Sequence, residues 1–196
     1  MSIRIYRDKE FQLLDDVYDP GDDSFLLVDA ALKEVRPGEK VLEIGTGSGI
    51  VSLFIKDIAD VVATDINPRA ALNARLNGVQ VIRTDLFNGI CARFNLVIFN
   101  PPYLPTIDEE RLNSWLNRAF DGGPTGRSEI ERFLRNADDI LAPGGRVLMV
   151  ISSLTSVDET KKMFEEHGFS VETISSKKVS FENLIVLKCF RAGPQR

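Results

Sequence analysis

Short apolar runs alternate along this chain with stretches whose apolar residues recur at helical spacing, the rhythm of a doubly wound α/β sheet. Runs at 40–44, 60–64, 80–83, 96–99, 146–151, 170–174 and 183–190 predict seven strands. Helices are expected at about 22–34, where Phe25, Leu26, Val28, Ala30 and Leu32 make an apolar face, and at about 49–58, 68–77, 128–141 and 157–167. Pro68 suits a first helical turn, and Pro143-Gly144-Gly145 closes the fourth helix. Only 175–182 separates the last two strands, so a hairpin is expected there rather than another crossover. The expected fold is therefore a Rossmann-like α/β sheet of seven strands, mostly parallel, with an antiparallel last strand. A long excursion from Leu104 to about Thr125 carries Pro105, Trp115, Gly122, Gly123 and Pro124; a loop of that length inside a domain is usually functional. Residues 191–196 read as a frayed tail.

With 196 residues, 43% hydrophobic and 27% charged, the chain suits one domain spanning 1–196. No apolar run approaches the roughly 18 residues of a membrane span. The first residues, Met1 to Arg7, are too charged for a signal peptide, so a cytoplasmic location is expected. Net charge is −5 and the pI about 5.0, which weighs against direct nucleic-acid binding, since phosphate contacts call for a basic footprint. Two cysteines, Cys91 and Cys189, and one histidine, His167, exclude a Cys/His zinc cage and a Ser-His-Asp triad; no metal site is expected. Both cysteines adjoin apolar residues and read as buried reduced thiols. His167, just before Gly168, reads as the end of a helix stopped by glycine.

Candidate chemistry gathers where strands end. The first predicted strand runs into Glu43-Ile44-Gly45-Thr46-Gly47-Ser48-Gly49, whose third glycine comes one position early for a dinucleotide fingerprint. Gly45 and Gly47 would let the backbone approach a phosphate-free nucleoside cofactor, and Glu43 would meet a cationic amino group. Asp65 ends the second strand; it is placed to accept ribose hydroxyls or to cap the helix after Asn67-Pro68. After the third strand, Asp85 would accept from an adenine amino group while the Leu86 backbone N–H donates. Three acids on successive parallel strand ends share one rim, where open α/β sheets bind ligands.

Asn100-Pro101-Pro102-Tyr103 follows the fourth strand and is the candidate catalytic segment. An amide or aniline-like nitrogen is a poor nucleophile because its lone pair is delocalised. Asn100 Oδ1 and the Pro101 carbonyl, accepting its two N–H bonds, would orient it and favour charge build-up in the transition state. Pro101 and Pro102 stiffen the backbone without competing donors, and Tyr103 would pack on a planar substrate. Cofactor loop and clamp together point to methyl transfer from S-adenosylmethionine (SAM) to a planar nitrogen, the chemistry of a class I methyltransferase.

At these residues the chain resembles the HemK/PrmC family of glutamine N5-methyltransferases, in its short eukaryotic and archaeal branch. The resemblance runs from about Val17 to Phe190. It rests on Tyr18-Asp19-Pro20-Gly21-Asp22-Asp23-Ser24, the glycine loop, Thr64-Asp65-Ile66-Asn67-Pro68, Asn100-Pro101-Pro102-Tyr103 and Gly122-Gly123-Pro124-Thr125-Gly126-Arg127. It implies methylation of the glutamine of the Gly-Gly-Gln motif in a class-1 translation release factor. It further implies that Ser24, Glu43, Gly45, Asp65, Asp85, Leu86 and Asn100 line the SAM pocket, that Asn100, Pro101 and Tyr103 hold the target amide, and that 122–127 borders the substrate. The family usually has threonine at the position of Ser24, which keeps the hydroxyl. Bacterial members carry an N-terminal helical domain that grips the release factor, whereas here the Tyr18 motif comes almost at the start. In the short branch a small zinc-binding activator covers one sheet edge, and 80–83 is the expected docking strand.

Two other readings remain open on the residues alone. The same clamp suits a flipped base, making a nucleic-acid amino-methyltransferase for adenine N6 or guanine N2. A non-catalytic SAM-binding subunit is the third, with an intact Asn100 against it.

Overall fold

The central strands form because their side chains alternate between two apolar layers. The computed structural model describes residues 1–106 and 115–191. It contains the hairpin β1 (Ser2–Tyr6) and β2 (Lys9–Leu13), then α1 (Asp22–Glu34), β3 (Lys40–Ile44), α2 (Ile50–Ile55), β4 (Asp60–Asp65), α3 (Pro68–Leu76), β5 (Val81–Arg83) and β6 (Phe94–Phe99). There follow α4 (Trp115–Arg118), α5 (Ser128–Leu134), α6 (Ala137–Ile140), β7 (Leu141–Ser152), α7 (Val157–Glu166), β8 (Phe169–Lys178) and β9 (Asn183–Arg191). Val41, Leu96, Ile98, Leu148 and Val150 face α1 and α2, while Leu42, Val97, Phe99, Val147 and Met149 face α5, α6 and α7. Burial on both faces is what a parallel sheet covered by helices requires.

The seven strands run in the order β5-β4-β3-β6-β7-β9-β8. Pairings from β5 through β7 are parallel, and β9 is antiparallel to both its neighbours, as expected. The chain leaves β3 toward β5 on one side and returns to β6 on the other. That reversal opens a crevice at the strand ends between β3 and β6.

Three expectations needed correction. No element was expected before Asp22, yet β1 and β2 form a separate antiparallel hairpin. Its strands mix charged with apolar positions, and its corner is Arg7 at φ +53° rather than the Asn-Gly that marks such turns. The helix expected over 128–141 is broken, because the backbone leaves helical geometry at Asn136 (φ −130°) and β7 already begins at Leu141. Phe94 pairs with Leu141 and Leu96 with Arg146, so 142–145, with its Pro-Gly-Gly, bulges out of the ladder. Cys189 is buried but Cys91 is exposed, since it lies in the loop before β6 and not in the strand. The expected excursion falls partly, and the tail mostly, outside the described residues. Among the described residues no helix is long and apolar enough to cross a membrane.

Candidate active site

All eleven residues expected at the site line one cavity of about 1010 Å³ over the ends of β3, β4 and β6. The glycine loop is built from the backbone outward. Gly45, Gly47 and Gly49 take left-handed φ values of +64°, +56° and +84°, open to glycine without the penalty a side chain would incur. The loop is tied down by Thr46 N donating to the Thr64 carbonyl (3.0 Å) and by Gly47 N donating to Asp65 Oδ2 (2.8 Å). Asp65 Oδ1 accepts from Asn67 N (2.8 Å), and the Asn67 side chain caps α3 by accepting from Arg69 N (2.9 Å). Asp65 thus braces the loop and the next helix at once, with a further lone pair on each oxygen for a ligand hydroxyl. Burial pushes its carboxyl above the usual range.

Glu43 is buried at the end of β3. Its Oε2 accepts from Thr46 Oγ1 (2.8 Å), Ser52 N (3.0 Å) and Ser52 Oγ, which leaves Oε1 for a donor from the cavity. Desolvation raises its carboxyl to about 7, against the lowering effect of the Ser52 and Thr46 bonds. A cationic amino group beside Glu43 would restore the charge, so the residue fits the amino-acid end of SAM. Asp85, after β5, accepts from Arg132 Nη2 (2.7 Å), while Arg132 Nη1 pairs with Glu129. Leu86 beside it sits at φ +50°. Arg132 and Glu129 on α5 line the cavity and were not anticipated, because nothing local marks their approach to β5.

Ser24 is buried, and its hydroxyl and N–H both donate to Asp23 Oδ1 (3.2 and 2.6 Å). Asn100 Nδ2 donates to Asp23 Oδ2 (3.0 Å), and Asn100 Oδ1 is buried without a hydrogen-bond partner. Tyr18 also donates its hydroxyl to Asp23 Oδ1 (3.0 Å). Burial, helped by the Asp23 charge, keeps the Tyr18 and Tyr103 phenols protonated far above their usual range.

The sequence motif at 122–127 proves to be the backing of the tetrapeptide. Leu104 N donates to Phe120 O (3.1 Å), Gly122 N to Leu104 O (2.9 Å) and Thr106 N to Gly123 O (3.0 Å). A Cβ on Gly122 would meet the Pro102 carbonyl at 2.8 Å, and one on Gly126, at φ +72°, the Tyr103 carbonyl at 2.5 Å. Both must be glycine for the two segments to lie this close.

The Methyltransferase small domain family model matches residues 16–115. A protein N5-glutamine methyltransferase of Methanocaldococcus jannaschii is 40% identical over 190 residues, covering 93% of this chain and 95% of the relative. Methyltransferase HEMK2 of Homo sapiens is 36% identical, covering 88% of this chain and 89% of its own. The E. cuniculi Mtq2-Trm112 complex, solved as responsible for methylation of the eRF1 translation termination factor, superposes with a TM-score of 0.76 at 28% identity, over 90% of this chain and 99% of that one. With this identity over nearly full length, and a seven-stranded sheet of the same fold, the chain belongs to the HemK family of protein N5-glutamine methyltransferases, enzymes whose methyl donor is S-adenosylmethionine.

Proposed function

We propose that this chain methylates the side-chain nitrogen of the glutamine in the Gly-Gly-Gln motif of a class-1 translation release factor, in the cytoplasm. The observation that carries the reading is Asn100 Oδ1, a buried acceptor without a partner on a residue of the cavity wall. A buried acceptor left unpaired is costly, and an incoming N–H relieves it. The E. cuniculi relative, solved as a methyltransferase of eRF1, supports the choice of substrate, and the net charge of −5 weighs against nucleic acid.

Bound SAM supplies an electrophilic methyl group on a sulfonium sulfur. Glu43 would hold its amino group, Asp65 its ribose hydroxyls, and Asp85 with the Leu86 N–H its adenine. Ser24 and the bends at Gly45 and Gly47 would complete the wall. Asn100 Oδ1 and the Pro101 carbonyl would accept the two N–H bonds of the target amide, Pro102 would hold their spacing, and Tyr103 would cover the amide plane. Leu154 and Phe181 are exposed and would offer apolar contacts of the kind a protein substrate uses.

A small zinc-binding activator is inferred as partner. The E. cuniculi relative was solved as a complex with Trm112. Here β5 is a sheet edge, and Leu72, Leu76 and Ile82 around it are each 45% exposed, an apolar edge of the sort proteins normally cover.

The deciding experiment is mass spectrometry of release factor after incubation with the chain, partner and SAM. One added methyl on the Gly-Gly-Gln glutamine is expected from wild type and none from Asn100→Ala, with SAM binding largely retained. Methyl found on nucleic acid instead, or equal loss of binding and transfer in Asn100→Ala, would reject the reading.

A further inference from the structure

Asp23 belongs to the Tyr18–Ser24 motif but was given no role by the sequence, yet it is 4% exposed and hydrogen-bonded to three residues of the site. It stands in the first turn of α1, and Asn100, 77 residues later, ends the β6 side of the crevice. Oδ1 of Asp23 is occupied by Tyr18 and Ser24, and Oδ2 faces Asn100 Nδ2 at 3.0 Å. Tyr103 lies close enough for the same charge to help hold its phenolic proton.

An ionised carboxylate only accepts hydrogen bonds. The edge of the Asn100 amide turned toward Asp23 must therefore be its NH2, because the opposite flip would set a carbonyl oxygen against a carboxylate. That choice decides what the other edge offers. Asn100 Oδ1 is left as an acceptor, and it is one of three buried side-chain polar atoms without a hydrogen-bond partner among the described residues. With the amide reversed, the same position would present a donor. It would then repel the N–H of a primary amide and favour an oxygen.

We propose that Asp23 is a positioning residue that locks the Asn100 side chain in the flip presenting its carbonyl, and so selects an NH2 group as the methyl acceptor. This rests on the glutamine-methylation reading for its substrate but not for its geometry. Asp23 touches neither reacting atom; it acts through Asn100. The substitution Asp23→Asn puts a neutral, nearly isosteric amide in place of the carboxylate. Tyr18 and Ser24 would hold the oxygen of such an amide at the Oδ1 position, so its NH2 would meet Asn100 and favour the opposite flip, and the lock is lost while the packing of α1 is kept.

The test has two parts. In 15N-labelled wild-type protein the Asn100 side-chain amide signal is assigned by its absence in Asn100→Ala, and exchange of its protons with water is measured. A protected pair supports the lock, and a freely exchanging pair overturns it, with no substrate and no Asp23 variant needed. In Asp23→Asn the protection should fall, kcat for release-factor methylation should fall roughly 100-fold, and the Kd for SAM should stay within about threefold, as for loss of orientation alone. In the Asn100→Ala background, where SAM binding is retained, Asp23→Asn should leave the Kd for SAM unchanged, whereas a further loss of affinity would mean that Asp23 acts on the cofactor independently of Asn100. Loss of SAM affinity in step with kcat would make Asp23 a wall of the cofactor pocket and overturn the proposal. If wild type keeps a protected Asn100 amide but leaves release factor unmethylated, only the substrate reading fails.

Discussion

Glu43 Oε2 accepts both the backbone N–H and the hydroxyl of Ser52, nine residues further along the chain, so the end of β3 and the first turns of α2 share one buried carboxyl. That carboxyl titrates at about 7 because burial outweighs its hydrogen bonds. An ammonium ligand needs it ionised. SAM affinity should therefore rise with pH through 7, and at pH 6 it should be roughly tenfold weaker than with the carboxylate fully ionised. The sign reverses for the free protein: the folded carboxyl binds its proton more tightly than the unfolded one. Its contribution to stability is complete below about 4.5 and is lost as pH rises through 7. Calorimetric titration from pH 5.5 to 8.5 checks the first, and Glu43→Gln should flatten the profile and weaken binding throughout.

Asn73, fully buried on α3, accepts from Leu14 N (2.6 Å) and donates to the carbonyls of Gln12 (2.9 Å) and Ser48 (3.0 Å). It joins the N-terminal hairpin to the glycine loop through one side chain. Asn73→Ala should destabilise the fold by about 1–3 kcal/mol, since Leu14 N loses its partner while the Gln12 and Ser48 carbonyls keep Asn77 Nδ2. Denaturant unfolding measures the loss, and the KM for SAM should rise with it.

Gly126 leaves no room for a methyl group against the Tyr103 carbonyl and Thr155, and its φ of +72° disfavours one in any case. Gly126→Ala should cost about 1–3 kcal/mol in local strain and displace the Asn100–Tyr103 segment. Steady-state kinetics should show kcat falling by tenfold or more with a smaller change in SAM affinity, because Glu43 and Asp65, proposed for the cofactor, stand on β3 and β4 and not in this segment.

Ile82→Asp tests the edge of β5. Ile82 is exposed in the lone chain, so the change should leave its unfolding midpoint nearly untouched. Binding of the activator should be abolished, as read by co-elution on a sizing column. Retained binding would move the docking surface elsewhere.

Local periodicity was enough to read the alternating α/β layout, and with it the rim of strand ends over which the cavity lies. Strand-end acids such as Glu43, Asp65 and Asp85 are found because strand patterning is local, and parallel strands bring their ends to one rim. The tetrapeptide at Asn100 was legible for the same reason. Contacts between segments remote along the chain emerged only on folding: Asp23 against Asn100, Arg132 on Asp85, Asn73 bridging Gln12 and Ser48, and Gly126 under Tyr103. No periodicity records such pairs, because each depends on how far helices and loops travel before they pack. The hairpin of β1 and β2 stayed hidden on similar grounds. Its burial comes from a few residues such as Phe11 and Leu13, and its hold on α3 comes from asparagine side chains that look like any helix surface until the fold is closed.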